Sequence, residues 1–207
     1  MAKTEIESCL LPHVVTIVPG APKPLMLQEA RNIIIEFFRR TEGWTIEADT
    51  IGLIEDVVDY DLDYDTTHVD IACTRVETIK DGTCKYKDSL MTAGEDYSLF
   101  DGDDGPMIKL AVEPSEDEAD GLTMDLVIVP SPCAVYIPTH FFNRWYECWA
   151  AGTAMKLLSM PSKAFYNPQL AGYYKGEYRR LLADAIFFYS NQGVGAETDA
   201  QGESWLL

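Results

Sequence analysis

The 207-residue sequence predicts an α+β fold: a helical bundle interrupted by an antiparallel β-rich insert and followed by an extended C-terminal arm. Apolar residues recur at helical spacing near both ends of the chain, whereas between residues 45 and 130 they alternate with a period of two. Charge divides the chain at the same places. Residues 45–130 hold 23 of the 34 acidic residues and 5 of the 16 basic ones, so the whole net charge of −18 lies there and the remainder is neutral. The expected organisation is a bundle from 1–44 and 131–192, an acidic insert from 45–130, and an arm from 193–207.

Residues 1–24 read as a leader. Its end, Val18-Pro19-Gly20-Ala21-Pro22-Lys23-Pro24, carries three prolines and a glycine that forbid a continuous helix. A helix can start at Pro24, because a first-turn proline has no bond to lose, and run to about Thr41. Met26, Ala30, Ile33, Ile34, Phe37 and Phe38 form its buried stripe, with Ile35 on the opposite side as surplus apolar surface. Gly43 supplies the stop and Trp44 plugs the core.

In the insert, Val69, Ile71 and Cys73 alternate as on a strand, and the slip to Val76 and Ile79 predicts a bulge. Asp81-Gly82 predicts a hairpin to Thr83–Lys87. Ile108, Leu110 and Val112 form another alternating run, and Leu122, Met124, Leu126 and Ile128 a further one, around a solvated turn at Ser115–Gly121. Four to six strands are expected. Helix returns from Thr139 to about Met160, with Phe141, Trp145, Cys148, Trp149, Gly152 and Met155 on one face and Ala150, Ala151, Gly152 and Ala154 permitting close helix approach. Asn167 caps a last helix along Leu170, Tyr174, Tyr178, Leu181, Ala185 and Phe188. There is no internal repeat.

A chain that is 47% hydrophobic and 11% aromatic is too apolar to be disordered at this charge. No apolar run reaches the roughly 18 residues of a membrane span, and the N-terminus has no basic-then-apolar signal pattern. The acidic balance opposes sequence-specific nucleic-acid binding and binding to anionic membranes. Five cysteines without C-x-x-C spacing, beside three isolated histidines, suggest neither a zinc site nor a disulfide framework, and fit a reducing cytosol.

The run Asp59-Tyr-Asp-Leu-Asp-Tyr-Asp65 invites a calcium reading. An EF-hand loop would need Gly at its sixth position and Glu at its twelfth, where Tyr64 and Asp70 stand, and a start at Asp101 matches no better. The acids read instead as a solvated strand face. His13, His68 and His140 lack any nucleophile or metal motif around them, and no phosphate-binding glycine loop exists. No catalytic residue, cofactor or metal ligand is expected. The remaining feature is Trp205-Leu206-Leu207, an apolar tip on a polar arm that suits docking into a groove on another chain.

Two stretches together resemble a known family. One is His13-Val-Val-Thr-Ile-Val-Pro-Gly-Ala-Pro22 followed by Gln28-Glu-Ala-Arg-Asn-Ile-Ile-Ile-Glu-Phe-Phe-Arg-Arg-Thr-Glu-Gly-Trp44. The other is Trp145-Tyr-Glu-Cys-Trp-Ala-Ala-Gly-Thr-Ala-Met-Lys-Leu-Leu158 followed by Asn167-Pro-Gln-Leu-Ala-Gly-Tyr-Tyr-Lys175. With Val58-Asp-Tyr-Asp-Leu62, which resembles a Tyr-x-Leu strand, they resemble the adaptor-type head-to-tail connector proteins of tailed bacteriophages, the tail tubular protein A group. The resemblance spans about residues 13–62 and 138–190 and leaves 66–130 unmatched.

It implies a structural virion protein of the neck, assembled in the host cytoplasm as a homo-oligomeric ring, usually of twelve copies, that joins the portal protein to the tail and extends the DNA channel. It also implies a C-terminal arm reaching the portal, which makes Trp205, Leu206 and Leu207 the candidate anchors. An acidic insert near that channel would repel phosphate and let DNA slide. Ring contacts would come from surplus apolar helix surface such as Ile35, and the free chain would be monomeric until templated by the portal. The alternatives are a collar or tail platform recruiting fibres or a nozzle through the insert, and a carboxylate hydrolase.

Overall fold

A computed structural model describes residues 2–64, 73–87, 89–102 and 105–192. Among them the fold is α+β, with antiparallel sheets between an N-terminal and a C-terminal pair of helices. The predicted strand through Val69 and Ile71, and the arm from 193 to 207, lie outside the described residues.

The leader is not a plain extension. Strand β1 (Lys3–Glu5) pairs with β12 (Tyr136–Pro138), and helix α1 spans Ile6–Ile17 with Pro12 inside it. Pro12 and the β-branched run Val14–Ile17 disfavour helix locally, but Ile6, Leu10, Leu11 and Val14 fall on one face and are all buried. Tertiary packing against α2 and α3 overrides propensity. The expected break holds: α1 ends before Pro19, Gly20 takes φ +87°, and α2 (Lys23–Thr41) begins with Pro24 in its first turn.

The predicted stripe of α2 is buried throughout. Two details differ from expectation. Glu42, at φ 47°, takes the left-handed position after the helix, while Gly43 is small because a Cβ there would lie 2.5 Å from the Tyr189 ring. Ile35 is 7% exposed and therefore buried within the chain. It offers no surplus surface, because α2 also packs on strand β11 and is covered on more than one side.

Helix α3 (Thr139–Leu158) lies between α2 and α4 (Pro168–Gln192). The neighbours crowd α3 at Gly152, where an added Cβ would meet Ile33 at 2.8 Å and Tyr178 at 2.9 Å. The small-residue run therefore has its expected use. Asn167 caps α4 through an Oδ1 that accepts the Leu170 N–H at 3.1 Å. Phe37, Phe38, Trp44, Phe141, Trp145 and Trp149 interlock in the bundle core, and the Trp145 Nε1–H donates to the Tyr189 hydroxyl at 2.9 Å.

The insert holds more and shorter strands than expected: β2 (Thr45–Glu47), β3 (Ile51–Leu53), β4 (Asp59–Asp61), β5 (Thr74–Ile79), β6 (Lys85–Tyr86), β7 (Ser89–Leu90), β8 (Tyr97–Asp101), β9 (Pro106–Leu110), β10 (Glu118–Thr123) and β11 (Asp125–Pro130). They pair in the orders β3-β10-β6-β7, β2-β11-β5 and β4-β9-β8. Two- and three-residue strands are too short to show a period in sequence. The solvated turn is shorter than predicted because β10 already starts at Glu118, and Val112 falls beyond β9 and is 78% exposed.

Asp81-Gly82 forms a turn, with Gly82 at φ +76° and the Thr83 N–H donating to the Lys80 carbonyl at 3.2 Å, but it does not reverse the chain. Strand β5 runs antiparallel to β11, and β6 continues in the same direction beside β10. The turn is an excursion in one long line, pinned where the Thr83 Oγ1 accepts the Asp125 N–H at 3.0 Å. The reversal comes next, where Tyr86 pairs with Ser89 and Lys87 takes φ 48°. The predicted bulge is present, since the β5–β11 register shifts between Val127 and Ile128.

Two hydrophobic cores result. Met124 and Leu126 belong to the insert core, whereas Ile128 and Val129 belong to the helical core. Strand β11 is thus the shared wall. It is buried continuously from Leu126 to Pro130 because apolar packing meets both of its faces.

Candidate interaction surface

Side chains able to do covalent or metal chemistry are dispersed. Among the described residues no three His, Cys, Asp or Glu side chains converge as a metal site. Burial pushes the Cys148 thiol up to about 12 and the Cys84 thiol up to about 11, with smaller contributions from Asp184 and Asp96 respectively. Both stay protonated at neutral pH and are inert as nucleophiles. All five cysteines are free.

His13, on α1, packs its ring 4.9 Å from that of Tyr146. His140 packs 4.0 Å from Phe141, and burial lowers its pKa from the ordinary 6.5. His68 lies outside the described residues. The two described histidines are far apart in role: one lines a groove and the other starts α3. The acids of the Asp59 run behave as alternation requires. Asp59, Asp61 and Asp63 are exposed while Tyr60 and Leu62 are buried, and Asp59 pairs with Lys109 at 3.5 Å. Asp65 is outside the described residues, as are Asp103 and Asp104 of the Asp101 loop.

Tyr60 explains why the Tyr-x-Leu strand has this form. Its hydroxyl donates to the Val57 carbonyl at 2.8 Å and accepts the Ile54 N–H at 3.1 Å, fixing the loop between β3 and β4. That loop is knitted to the one between β9 and β10: the Asp56 N–H donates to the Pro114 carbonyl at 3.1 Å and the Glu55 N–H to Asp117 Oδ1 at 2.8 Å. Lys87 ties in the β6–β7 turn by pairing with Glu116 at 3.1 Å and Glu118 at 3.4 Å. The Glu116 hydrogen bond is the main reason its pKa is raised. These two loops, tied to Lys87, therefore form one end of the insert, and they expose Ile54 and Val112 beside carboxylates.

The helical half presents a different surface. On α4, residues 172, 175, 176, 179, 183, 186, 187 and 190 fall within a narrow arc at helical spacing, and all are exposed. Phe187 is 71% exposed, and Lys175 and Arg179 make no ion pair among the described residues. At the flank, a groove of about 330 Å³ between α1, α3 and α4 is lined by His13, Tyr146, Tyr173, Glu177 and Arg180. A second groove, of about 440 Å³, lies between β5 and β8 and includes Arg39, Arg75 and Phe100. There Glu77 holds both arginines, Arg39 at 2.6 Å and Arg75 at 3.1 Å, and so joins α2 to the edge of β5.

The predicted anchors Trp205, Leu206 and Leu207 lie outside the described residues. The loop end and the α4 face were not singled out in sequence. The signal for the second was available, since the buried positions Ala171, Tyr178, Leu182 and Ala185 leave the opposite arc with Ile186 and Phe187 on it. A search against protein-family models finds no match, and a search of curated proteins finds no significant relative.

Proposed function

We propose that this chain is a structural virion protein, an adaptor whose ring joins the portal to the tail of a tailed bacteriophage and extends the DNA channel. The observation that carries the reading is architectural. Helices from opposite ends of the chain close into one bundle, and the β-rich segment between them keeps its own core and the whole net charge. That is the layout the resemblance of residues 13–62 and 138–190 implies.

The chemistry supports a structural role. The described cysteines with shifted thiols are held protonated, and the described acids of the Asp59 run, Asp59, Asp61 and Asp63, lie on a solvated face. A surface of this charge repels phosphate over about 8–10 Å at physiological salt, which suits a wall past which DNA slides without sticking. In this reading Trp205, Leu206 and Leu207 insert into the portal, and tail, nozzle or fibre proteins attach to the opposite side of the ring.

Cryo-electron microscopy of the neck in assembled particles tests the proposal. A ring of this chain beneath the portal, with its C-terminal residues in contact with portal subunits, is the expected result. A particle in which the chain sits elsewhere, or attaches equally well after deletion of 193–207, overturns the adaptor role or the arm's part in it. Loss of fibres alone on changing the insert would favour the platform alternative.

A further inference from the structure

The two exposed surfaces described above are opposite in charge and alike in apolar content. At the loop end of the insert, residues 54–57 and 111–117 carry five acids (Glu55, Asp56, Glu113, Glu116 and Asp117) and no base. They surround Ile54, 56% exposed, and Val112. Across residues 131–192 the balance reverses, with six bases against three acids. On the outward arc of α4, Lys175 and Arg179 flank Gly176, and Ile186 and Phe187 follow two to three turns further along the same arc.

Two glycines sharpen the match. Gly172 and Gly176 sit inside α4, where glycine weakens a helix relative to alanine. Neither has positive φ, and a Cβ on either would meet nothing within 4 Å. Nothing within the described chain therefore calls for their smallness, in contrast to Gly152 on α3. A second body approaching this face closely would.

We infer that the outward face of α4 binds the acidic loop end of the insert of a second copy of this chain. Ile54 and Val112 of one copy rest against the glycine-lowered stretch of α4 on the next, and the carboxylates around them face Lys175 and Arg179. Two different patches meet, so the contact is heterologous, and repeated contacts either close into a ring or extend as a chain. This rests on the ring reading above and assigns the surfaces that build it. Because the charges are solvent-exposed, the contact weakens as salt rises.

Because the free chain is expected to be monomeric when dilute, the test mixes two isotopic forms of the full-length chain at ~0.1–1 mM, where a weak contact is populated, and treats them with a carbodiimide, which joins lysine amines to carboxylates. Mass spectrometry then separates links between copies from links within one copy. Links between copies from Lys175 to carboxylates of 54–57 or 111–117 are expected. The double variant Lys175→Glu/Arg179→Glu and the double variant Glu55→Lys/Glu113→Lys should each lose self-association by about tenfold or more in sedimentation. Mixing the two should restore it in part, because the lysines introduced at 55 and 113 then face the glutamates introduced at 175 and 179, while the unchanged faces still carry opposite charge.

Gly172→Ala/Gly176→Ala separates folding from association. It should raise the melting temperature by about 2–4 °C per site while lowering self-association. Links between copies through other segments, or undiminished association of these variants, overturn this contact and leave the ring to be judged by the neck reconstruction. Absence of any association up to ~1 mM also overturns the contact. A neck without a ring of this chain would remove the adaptor reading itself.

Discussion

In the helical half, large aromatic side chains interlock: Phe37 meets Trp149 at 5.6 Å between ring centroids, and Phe38 meets Phe141 at 5.0 Å. In the insert, the core is mostly aliphatic, formed by residues such as Leu53, Ile108, Leu110 and Leu122, with Tyr60 and Tyr97 at its margin. The segments that build the first core, 1–44 and 131–192, carry eleven bases against eight acids, whereas residues 45–130 carry the excess of 18 negative charges. Helices that must pack tightly need large complementary surfaces, whereas a module covered in like charge gains solubility but works against its own compactness. The halves are joined through β11 and through Glu77, which reaches Arg39 from the sheet edge.

Trp149→Ala strikes the comparison hardest. The side chain is fully buried among rings, and its loss should cost about 3–5 kcal/mol in denaturant unfolding. Ile108→Ala, equally buried but in the smaller core, should cost about 2–4 kcal/mol. Its hydrogen-exchange signature should be confined to the insert. Equal loss of protection in α3 and α4 would mean the cores unfold as one unit.

Alkali provides a graded version. The folded chain keeps Cys148 protonated up to about 12 and Cys84 up to about 11, against an ordinary 9.0. The unfolded chain loses these protons first, so stability is intact below pH ~9 and falls as pH rises through the folded values, by at most ~1.4 kcal/mol per pH unit and group. Cys148→Ala and Cys84→Ala should each flatten this slope by a similar amount in urea titrations at pH 8 and pH 10.5. Tyr60→Phe, which unties the 54–57 loop, should cost about 1–2 kcal/mol and speed amide exchange at Ile54. Smallest is Glu77→Gln, at under ~1 kcal/mol because its partners are partly solvated. Its effect should fade at high salt.

Much of the helical half was legible because its patterns are long. The stripe of α2, the small-residue run of α3 and the Asn167 cap each occupy a stretch over which helical spacing can be recognised. Helix α1 was not legible, since Pro12 and Val14–Ile17 speak against helix locally and only packing on α2 and α3 selects it. In the insert, the bulge in β5 could be read from the slip at Val76. The role of Asp81-Gly82 could not, because whether a turn reverses the chain depends on which strands accept its flanks. Ile35 shows the same limit: an apolar residue off the main stripe looks spare until the fold buries it. The exposed apolar surfaces were hidden for a related reason, since exposure of Val112 and Phe187 follows from where strands and helices stop or turn away.

The Asp81-Gly82 excursion has a practical corollary. The chain leaves the line of β5 at an exposed tip and rejoins it as β6 without changing direction, so residues added at the tip need not alter any strand's register. Loop length costs little once the ends are held, and here Lys80 and Thr83 are tied together while Thr83 is also tied to Asp125. A short epitope or fluorophore-binding peptide could therefore be carried at this point as a label. It would mark the insert in images of a large particle while both cores stayed as they are.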